Sequence, residues 1–300
     1  MKCTKCNRTA VTYQSYSGSY LCDIHLIRDV ERKVKHTIRK HRMIERGDTI
    51  AVALSGGKDS SVLLYLLSSL FGHRPDITLI AISIDEGIAG YRQQTLQHAR
   101  DMTAKLEITH IITGFKEEYG MTLDEIVAKG GEKGPCSCCG ALRKRLLNKT
   151  ARDAGASRLA VGHNLDDEAQ TVMMNILRAD IERMVRMVPA RVQPGLVLRS
   201  KPLRDIPEKE VALYALLHDI NVNFNECPYA YSAIRGDVRD LLNDFEVKHP
   251  GTKYAVLRSL DKLCEPLRHV FPQSTLGTCT ICGEPTQKDL CQTCRLLGKS

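Results

Sequence analysis

A glycine-containing loop with the composition of a phosphate-binding site follows a short apolar run. The run Thr49–Leu54 reads TIAVAL, and the loop Ser55–Ser60 reads SGGKDS. The two glycines allow a tight turn and a close approach of the backbone to a ligand. A helix that begins near Asp59 would present free N–H groups and a positive dipole end to an anion. The pattern predicts a site for nucleotide phosphates, and the alternative is a glycine turn before an ordinarily capped helix.

A second polar cluster lies where a later apolar run meets a helix. Residues 159–174 read LAVGHNLDDEAQTVMM, so that His163, Asn164, Asp166 and Asp167 follow the run directly. Open α/β sheets bind ligands at the carboxyl ends of their strands. Carboxylate oxygens suit Mg²⁺, and we expect Asp167 to face the nucleotide; the alternative is that both aspartates only cap the helix. The apolar side of this helix is predicted to consist of Ala169, Val172, Met173, Ile176 and Leu177.

The two terminal groups of cysteines have the spacing of zinc sites. The chain has 12 cysteines, and thiols in the cytoplasm are kept reduced, which favours metal binding over disulfides. A Cys₃His set at the N-terminus consists of Cys3, Cys6, Cys22 and His25. A Cys₄ set at the C-terminus consists of Cys279, Cys282, Cys291 and Cys294. Both spacings predict closed, structural zinc sites with tetrahedral geometry.

The central cysteines differ because they do not form a four-ligand set. The segment Gly134–Gly140 reads GPCSCCG, in which Cys136 and Cys139 form a Cys-x-x-Cys pair, and Cys227 lies far off in NECPY. Three thiolates leave one position open, as a catalytic metal site requires. The residues alone leave two chemistries open: a three-cysteine [4Fe–4S] cluster, or a persulfide carried on one cysteine and resolved by another. A third interpretation is that these are ordinary buried cysteines.

The segments that carry these groups alternate between strand-like and helix-like patterns. Strands are predicted at Thr49–Leu54, Ile77–Ile84, around Ile111 and Ile112, and at Leu159–Val161. Helices are predicted after the loop, at Gln93–Lys105 and at Gly140–Ala154. This order predicts a mainly parallel sheet with helices on both faces. We expect a zinc finger at residues 1–28, a basic linker helix at 29–47, a catalytic domain at 48–270 and a second zinc finger at 271–300.

The composition of the whole chain agrees with an enzyme that handles a polyanion. The 300 residues carry a formal net charge of +8, 43% of them are hydrophobic and 26% are charged. A positive balance suits nucleic acid, although it also occurs in enzymes with no such partner. The sequence has no apolar run long enough for a membrane span, and its first residues lack the pattern of a secretory signal. We therefore expect a cytoplasmic protein with no membrane partner.

The motifs taken together resemble the TtuA/NcsA group of tRNA 2-thiouridine synthetases, within the PP-loop ATP pyrophosphatase superfamily. The resemblance covers nearly the full chain and includes both zinc sets, SGGKDS, CSCCG, GHNLDDEAQ and NECPY. It implies a PP-loop core of the adenine nucleotide alpha hydrolase type, and a [4Fe–4S] cluster on Cys136, Cys139 and Cys227. The expected catalytic residues are those three cysteines with Asp59 and Asp167. The expected ATP-binding residues are Ala53, Ser55, Gly56, Gly57, Lys58, Asp59, Ser60, Ile84, Arg143, Gly162, His163 and Asp167.

The resemblance also implies a reaction and a set of partners. ATP would adenylate the C2 oxygen of a tRNA uridine, and sulfur would then displace AMP to give 2-thiouridine. The sulfur would come from a thiocarboxylated ubiquitin-like protein or from inorganic sulfide, and the enzyme would be a homodimer. The run Leu142–Arg145 favours the wobble uridine over the T-loop uridine. The segment Arg178–Pro202, with Arg183, Arg186, Arg191, Arg199 and Lys201, is predicted to bind tRNA or to act as a mobile lid.

Other functions are compatible with parts of the pattern. Thiolation of a tRNA cytidine uses the same chemistry on another base. A PP-loop ligase or amidotransferase would need the ATP loop but no set of three cysteines. A non-catalytic RNA-binding protein with zinc modules would need neither an intact SGGKDS nor an open cysteine site.

Overall fold

The computed structural model describes residues 1–130, 134–187, 193–221, 227–229, 233–272 and 275–299. The N-terminal module contains an antiparallel hairpin, β1 (Thr12–Gln14) and β2 (Ser19–Leu21), followed by α1 (Asp23–Lys40). This helix begins inside the first zinc set, earlier than the helix predicted for residues 29–47, and ends at Lys40. It carries a buried stripe that includes Leu26, Val30 and Val34. Its opposite side is basic, as the sequence predicts.

A βα-alternating core follows. Its first half contains β3 (Thr49–Ala53), α2 (Lys58–Phe71), β4 (Thr78–Asp85), α3 (Arg92–Lys105), β5 (Thr109–Gly114), α4 (Phe115–Tyr119) and α5 (Leu123–Ala128). Its second half contains α6 (Pro135–Asp153), β6 (Arg158–Ala160), α7 (Leu165–Leu177), α8 (Ile181–Val185), β7 (Leu198–Ser200) and α9 (Glu208–Leu217). The chain then forms α10 (Ala233–Lys248), α11 (Thr252–Val270), the hairpin β8 (Gly277–Thr278) with β9 (Pro285–Thr286), and α12 (Gln292–Leu296). Within the described residues, no helix is both long and apolar enough to cross a bilayer.

The five core strands form one parallel sheet in the order β5-β4-β3-β6-β7. The chain moves outward from β3 to β5 in one direction, then returns to place β6 and β7 on the other side of β3. The strand order therefore reverses between β3 and β6. Open α/β sheets bind ligands at the carboxyl ends of the strands beside such a reversal. The predicted α/β class with a parallel PP-loop sheet and terminal cysteine modules is confirmed.

Alternating residues of β3 enter two separate cores, one on each face of the sheet. Ile50 and Val52 pack with apolar residues of α1, α2 and α9. Ala51 packs on the other face with Leu142 and Leu146 of α6. Because successive side chains of a strand point to opposite faces, the apolar run TIAVAL fills both layers. The loop after β3 is therefore held between two packed helical layers.

The predicted apolar side of α7 is only partly correct. Ala169 and Val172 are buried and Met173 is partly buried, as predicted, where α7 packs against α10 and α11. Ile176 and Leu177, by contrast, are 49% and 59% exposed. Both lie in the last turn of the helix, which ends at Leu177. The periodic pattern thus continues beyond the part of α7 that other described elements cover.

A buried polar network joins the N-terminal module to the core. The side-chain amide of Gln14 donates hydrogen bonds to Asp29 (3.0 Å) and to Glu210 of α9 (2.9 Å). Lys33 lies 2.9 Å from both carboxylates, and the hydroxyl of Tyr16 donates to Glu210. Each charge in this network has an opposite charge beside it, as buried ionic groups require. The hairpin, α1 and α9 are therefore one packed unit.

Candidate active site

A cavity of about 400 Å³ opens at the carboxyl ends of β3, β4 and β6. Ten of the predicted ATP-binding residues line it: Ala53, Ser55, Gly57, Asp59, Ser60, Ile84, Arg143, Gly162, His163 and Asp167. Gly56 and Lys58 belong to the same loop but do not line the cavity. The other residues of the lining were not among the predicted ATP-binding residues: Leu54, Ile82, Glu86, Arg92, Gly140, Lys144, Leu147, Val161 and Arg199.

The SGGKDS loop wraps around the side chain of Ser60. The Ser60 hydroxyl accepts a hydrogen bond from the Ser55 amide (3.1 Å) and donates to the Gly57 carbonyl (3.0 Å). Gly57 occupies the N-cap of α2 and has no side chain with which to cap the helix. The first N–H groups of a helix need a partner from outside the helix. The N-terminus of α2 is therefore suited to an anion in the cavity.

Two glycines allow the loop to lie against its neighbours. Gly56 has φ +81°, and a Cβ there would lie 1.8 Å from the carbonyl oxygen of Thr95. A Cβ at Gly162, after β6, would lie 2.9 Å from the amide nitrogen of Ser60. Real Cβ atoms do not approach backbone atoms so closely. Both positions therefore require glycine if the loop is to keep this shape.

The residues after β6 form a capped helix start that also faces the cavity. Asn164 caps α7: its side-chain oxygen accepts from the Asp167 amide (3.0 Å), and Asp167 accepts from the Asn164 amide (3.2 Å). The Asn164 side-chain amide also donates to Asp59 (3.0 Å), which joins this segment to the phosphate loop. Asp166 does not line the cavity. Its carboxylate accepts hydrogen bonds from the Glu208 amide (2.8 Å) and from the Lys253 ammonium. Asp167 thus both caps the helix and lines the cavity.

Asp167→Asn is expected to unfold at a higher temperature than the wild type above about pH 6, without ATP or Mg²⁺. Burial raises the pKa of Asp167 to about 6, and nearby Asp59 adds to the shift. An aspartate in the unfolded chain titrates near pH 4, so the ionised side chain costs folding free energy above about pH 6. Below about pH 4 both states are protonated and the difference disappears. Thermal melts near pH 8 and pH 4 check this, and a variant less stable near pH 8 would contradict it.

Lys58 is held by carboxylates beside the cavity. Its ammonium lies 2.8 Å from Asp59 and 3.3 Å from Glu208 at the start of α9. Burial lowers the pKa of Lys58, but the two carboxylates outweigh this effect and the net shift is upward. The side chain is therefore charged and already paired in this conformation.

A buried carboxylate in the cavity wall joins two arginines. Glu86 lies 2.8 Å from Arg92 and 3.3 Å from Arg143, and only 5% of the Glu86 side chain is exposed. Arg92 also donates to the carbonyl oxygens of Ser55 (2.6 Å) and Ile84 (2.8 Å). It therefore fixes the phosphate loop against the end of β4. No local motif marks these contacts, because they join residues from three separate elements.

The three central cysteines lie near one another and near Arg143, which lines the cavity. Cys136 and Cys139 lie three residues apart in the first turn of α6, and residues at this spacing share one side of a helix. Cys138 lies between them and is buried. The thiol of Cys136 donates to the carbonyl oxygen of Tyr229 (2.7 Å), which brings the segment of Cys227 to the helix. Cys139 and Cys227 pack on the same apolar core.

Burial of Cys139 and Cys227 favours the protonated form of both thiols when no metal is bound. Burial raises the pKa of Cys139 to about 12, while Arg143 opposes the shift and Glu86, Cys227 and Cys136 add to it. Among the described residues, only the two terminal sets bring three or more possible ligand atoms within 4.8 Å of one another. A single zinc ion needs that spacing. A [4Fe–4S] cluster binds each thiolate at a different iron and does not need that spacing.

Several cations surround the mouth of the cavity. His163 stays neutral, because burial lowers its pKa to about 3 and the nearby Lys201, Arg199, Arg235 and Arg143 add to the shift. Lys144 of α6 and Arg199 of β7 line the cavity itself. Arg183 and Arg186 are exposed and pair with Asp180 and Glu182 on α8. Arg191 lies outside the described residues. The cavity is thus positive and suited to phosphates.

Both terminal cysteine sets have the spacing of zinc ligands. In the first, the Cys6 and Cys22 sulfurs lie 3.8 Å apart, and the His25 Nδ1 lies 3.2 Å from Cys22 and 3.4 Å from Cys3. In the second, Cys279 lies 3.8 Å from Cys294, and Cys282 lies 3.6 Å from Cys291. Tetrahedral bonds of about 2.3 Å to sulfur put sulfur atoms about 3.8 Å apart. The donor atoms therefore fit Zn²⁺.

The strand order, the glycine loop and the cavity are those of a PP-loop nucleotide-binding enzyme. The family model described as "PP-loop domain" matches residues 26–243. The model described as "2-thiouridine synthetase TtuA, N-terminal LIM domain" matches residues 2–27. The similarity to this family therefore also covers the first cysteine module.

Individual relatives match almost the full chain. The tRNA 2-thiolation protein NcsA of Haloferax volcanii is 38% identical over 99% of this chain and 98% of its own. The tRNA-5-methyluridine(54) 2-sulfurtransferase of Pyrococcus horikoshii is 34% identical over 99% and 94%. The structure of the U34-tRNA thiolase NcsA from Methanococcus maripaludis, with its [4Fe–4S] cluster, has a TM-score of 0.88 and 36% identity over 99% and 95%. The chain belongs to the TtuA/NcsA family of PP-loop tRNA 2-thiolation sulfurtransferases.

Proposed function

We propose that this protein is an ATP-dependent tRNA-uridine 2-sulfurtransferase. The observation that carries the proposal is that one cavity is lined by the phosphate loop and by Arg143, which lies beside Cys139 and Cys227. In the first step the O2 atom of uridine bonds to the α-phosphorus of ATP, and pyrophosphate leaves. In the second step hydrosulfide attacks C2, loses its proton to water, and the C2–O bond breaks to release AMP. The product is 2-thiouridine.

The residues of the loop account for the first step. The N–H groups at the start of α2, with the hydroxyl of Ser55, are positioned to hold the pyrophosphate, while Ser60 holds the loop in shape. Asp59 and Asp167 both line the cavity, and their oxygens would hold Mg²⁺ against the phosphates. Arg143 presents a planar cation from the cysteine side of the same cavity. Catalysis by this chain is thus mainly positioning and charge stabilisation.

Cys136, Cys139 and Cys227 would hold the [4Fe–4S] cluster. Such a cluster, when bound to three cysteines, supplies one iron without a protein ligand, where sulfur can be held for transfer. Glu86 and Arg143 lie beside Cys139 and set the charge around it. The partly buried side chains of Cys139, Cys227 and Tyr229 pack on the apolar core, which would reduce the access of water to the cluster.

The remaining assignments follow from the same proposal. Two structural zinc ions would stabilise the terminal modules, and tRNA would bind largely through its phosphates. We propose the wobble uridine as the target, supported by the name of the solved relative and by the basic run Arg143–Arg145 in the middle of α6. The sulfur donor would be a thiocarboxylated ubiquitin-like protein or inorganic sulfide, and the protein would act as a homodimer in the cytoplasm.

The proposal is tested by purification without oxygen, followed by metal analysis and an activity assay. We expect about four iron atoms and about two zinc atoms per chain. Unmodified tRNA with ATP and sulfide should give 2-thiouridine, AMP and pyrophosphate, and nuclease mapping should place the thiolated base in the anticodon. A colourless, iron-free and fully active protein would refute the cluster, and thiolation in the T-loop would refute the wobble position. Use of ammonia in place of sulfide would instead indicate a ligase.

A further inference from the structure

Two cations of the cavity wall come from elements distant from the phosphate loop. Lys144 lies on α6, one residue after Arg143, and Arg199 lies on the edge strand β7. The guanidinium of Arg199 donates to the backbone carbonyl of Lys144 (3.0 Å), which joins the two residues. In the sheet, β6 separates β7 from β3, the strand that carries the phosphate loop. The pair therefore forms a second basic wall of the cavity.

Carboxylates neutralise the other basic groups around the site. Arg92 and Arg143 pair with Glu86, Lys58 pairs with Asp59 and Glu208, and Lys201 pairs with Glu168 at 2.7 Å. Across the part of the chain that the structure describes, neither Lys144 nor Arg199 has a carboxylate within 4.0 Å. Two uncompensated cations side by side repel each other, and an anion between them would remove that repulsion.

The ionisation of the pair agrees with this geometry. Burial lowers the pKa of Lys144 to about 8, and Arg199, Lys201, Arg183 and Arg186 add to the shift. Burial and Arg143 lower the pKa of Arg199 to about 10. A bound phosphate would restore both values, because a nearby anion favours the charged form of a base.

We propose that Lys144 and Arg199 form a phosphate subsite for the RNA backbone beside the nucleotide that enters the cavity. The inference rests on the proposed function and adds the residues that hold the substrate. An ammonium beside a planar guanidinium suits a phosphate group. The phosphates of ATP already have the loop and the N-terminus of α2, on the other side of β6.

The arrangement of the outer cations favours a polymer over a second small anion. Arg183 and Arg186 on α8 are 65% and 49% exposed at their side chains. They are close enough to influence Lys144 although each pairs with a neighbouring carboxylate, so cationic side chains continue from the cavity to the surface. A small anion bound in the cavity gains little from charges outside it. An RNA strand that leaves the cavity would meet them in succession.

The test compares Lys144→Gln and Arg199→Gln with two controls that remove the same charge elsewhere. Lys116→Gln and Arg74→Gln are suitable, since Lys116 pairs with Glu125 and Arg74 with Asp76 on the surface. The affinities for an unmodified tRNA transcript and for ATP are measured at several salt concentrations. Each cavity variant should weaken tRNA binding about tenfold and lower the salt slope by about one, with ATP affinity unchanged. Both controls should bind tRNA like the wild type.

Each other outcome counts against the subsite. Lost ATP affinity with normal tRNA affinity would assign the pair to ATP, and unchanged values for both ligands would leave the pair without a ligand. Lys144→Arg and Arg199→Lys, which keep the charge, should retain most of the tRNA affinity; if they fail as badly as the glutamine variants, the loss comes from altered packing. A wild-type protein that neither binds nor thiolates tRNA refutes the proposed function itself, whereas an active wild type with unaffected variants refutes only the subsite.

Discussion

Replacing Cys227 with alanine is expected to lower thiolation by roughly 100-fold or more while ATP still binds. Loss of an outer-shell partner alone typically lowers metal affinity by about 10–100-fold, and loss of a direct ligand should cost more. Cys227 comes from a segment that Tyr229 anchors to α5, through a hydrogen bond of its hydroxyl to Asp124 (2.8 Å). The alanine variant should therefore keep the fold and lose the iron. Iron and sulfide content, ATP affinity and 2-thiouridine in digested tRNA are the measurements.

Cys138→Ala is the matched control for this variant. Cys138 lies in the same motif as Cys136 and Cys139, but it is 9% exposed and does not share the i, i+3 spacing of that pair. We expect the control to retain both iron and activity. If Cys138→Ala lost the cluster while Cys136→Ala kept it, the cluster ligand would be Cys138 and the assignment of Cys136 would be wrong. Normal iron content in Cys227→Ala would remove Cys227 from the site.

Gly56→Ala is expected to reduce ATP affinity about 100-fold or more, because displacement of a loop by about 1 Å can have an effect of that size. The added Cβ would lie 1.8 Å from the Thr95 carbonyl oxygen and 3.1 Å from the Thr95 Cα. These are backbone atoms of α3, and the buried Arg92 holds the start of that helix against Ser55 and Ile84. The loop, rather than the helix, should therefore move. Calorimetric titration with ATP measures the effect.

Gly47→Ala separates the collision from the backbone strain. Gly47 has φ +84°, close to the value at Gly56, but no atom lies within 4 Å of a Cβ built there. Gly47→Ala should lose only about 1–2 kcal/mol of stability, because alanine is forced into the left-handed conformation. Its ATP affinity should be unchanged. If both variants lost ATP affinity equally, the collision with Thr95 would not be the cause.

The sequence was most informative where one short segment holds all the parts of a feature. The strand before SGGKDS, the strand before GHNLDD and the two zinc sets each depend on spacings of a few residues, and each is found where it was predicted. The parallel sheet could also be predicted, because α and β patterns alternate along the chain. The strand β7 was not predicted. Two of its three residues, Leu198–Ser200, are polar, whereas β6, which is equally short, overlaps the apolar run Leu159–Val161.

The partners of the charged residues in the cavity could not be predicted, because the contacts join distant segments of the chain. Glu86 meets Arg143 across 57 positions, and Arg199 meets the carbonyl of Lys144 across 55. Nothing near these residues in the sequence marks them as partners. The error in α7 has a related cause, since only the packing of α10 and α11 shows where its buried side ends. Within Arg178–Pro202, the structure likewise distinguishes Arg199, in the cavity, from Arg183 and Arg186 on the surface.

The buried network around Glu210 couples the folding of the first cysteine module to the stability of the nucleotide site. If the module unfolded, Asp29 and Glu210 would lose Gln14 and Tyr16, and two buried carboxylates would remain with fewer partners. Glu210 lies in the first turn of α9, two residues after the Glu208 that holds Lys58. Loss of the zinc ion proposed for this module would therefore affect the ATP loop through a single short helix. A cell starved of zinc is then expected to lose tRNA thiolation, although the proposed ion takes no part in the chemistry.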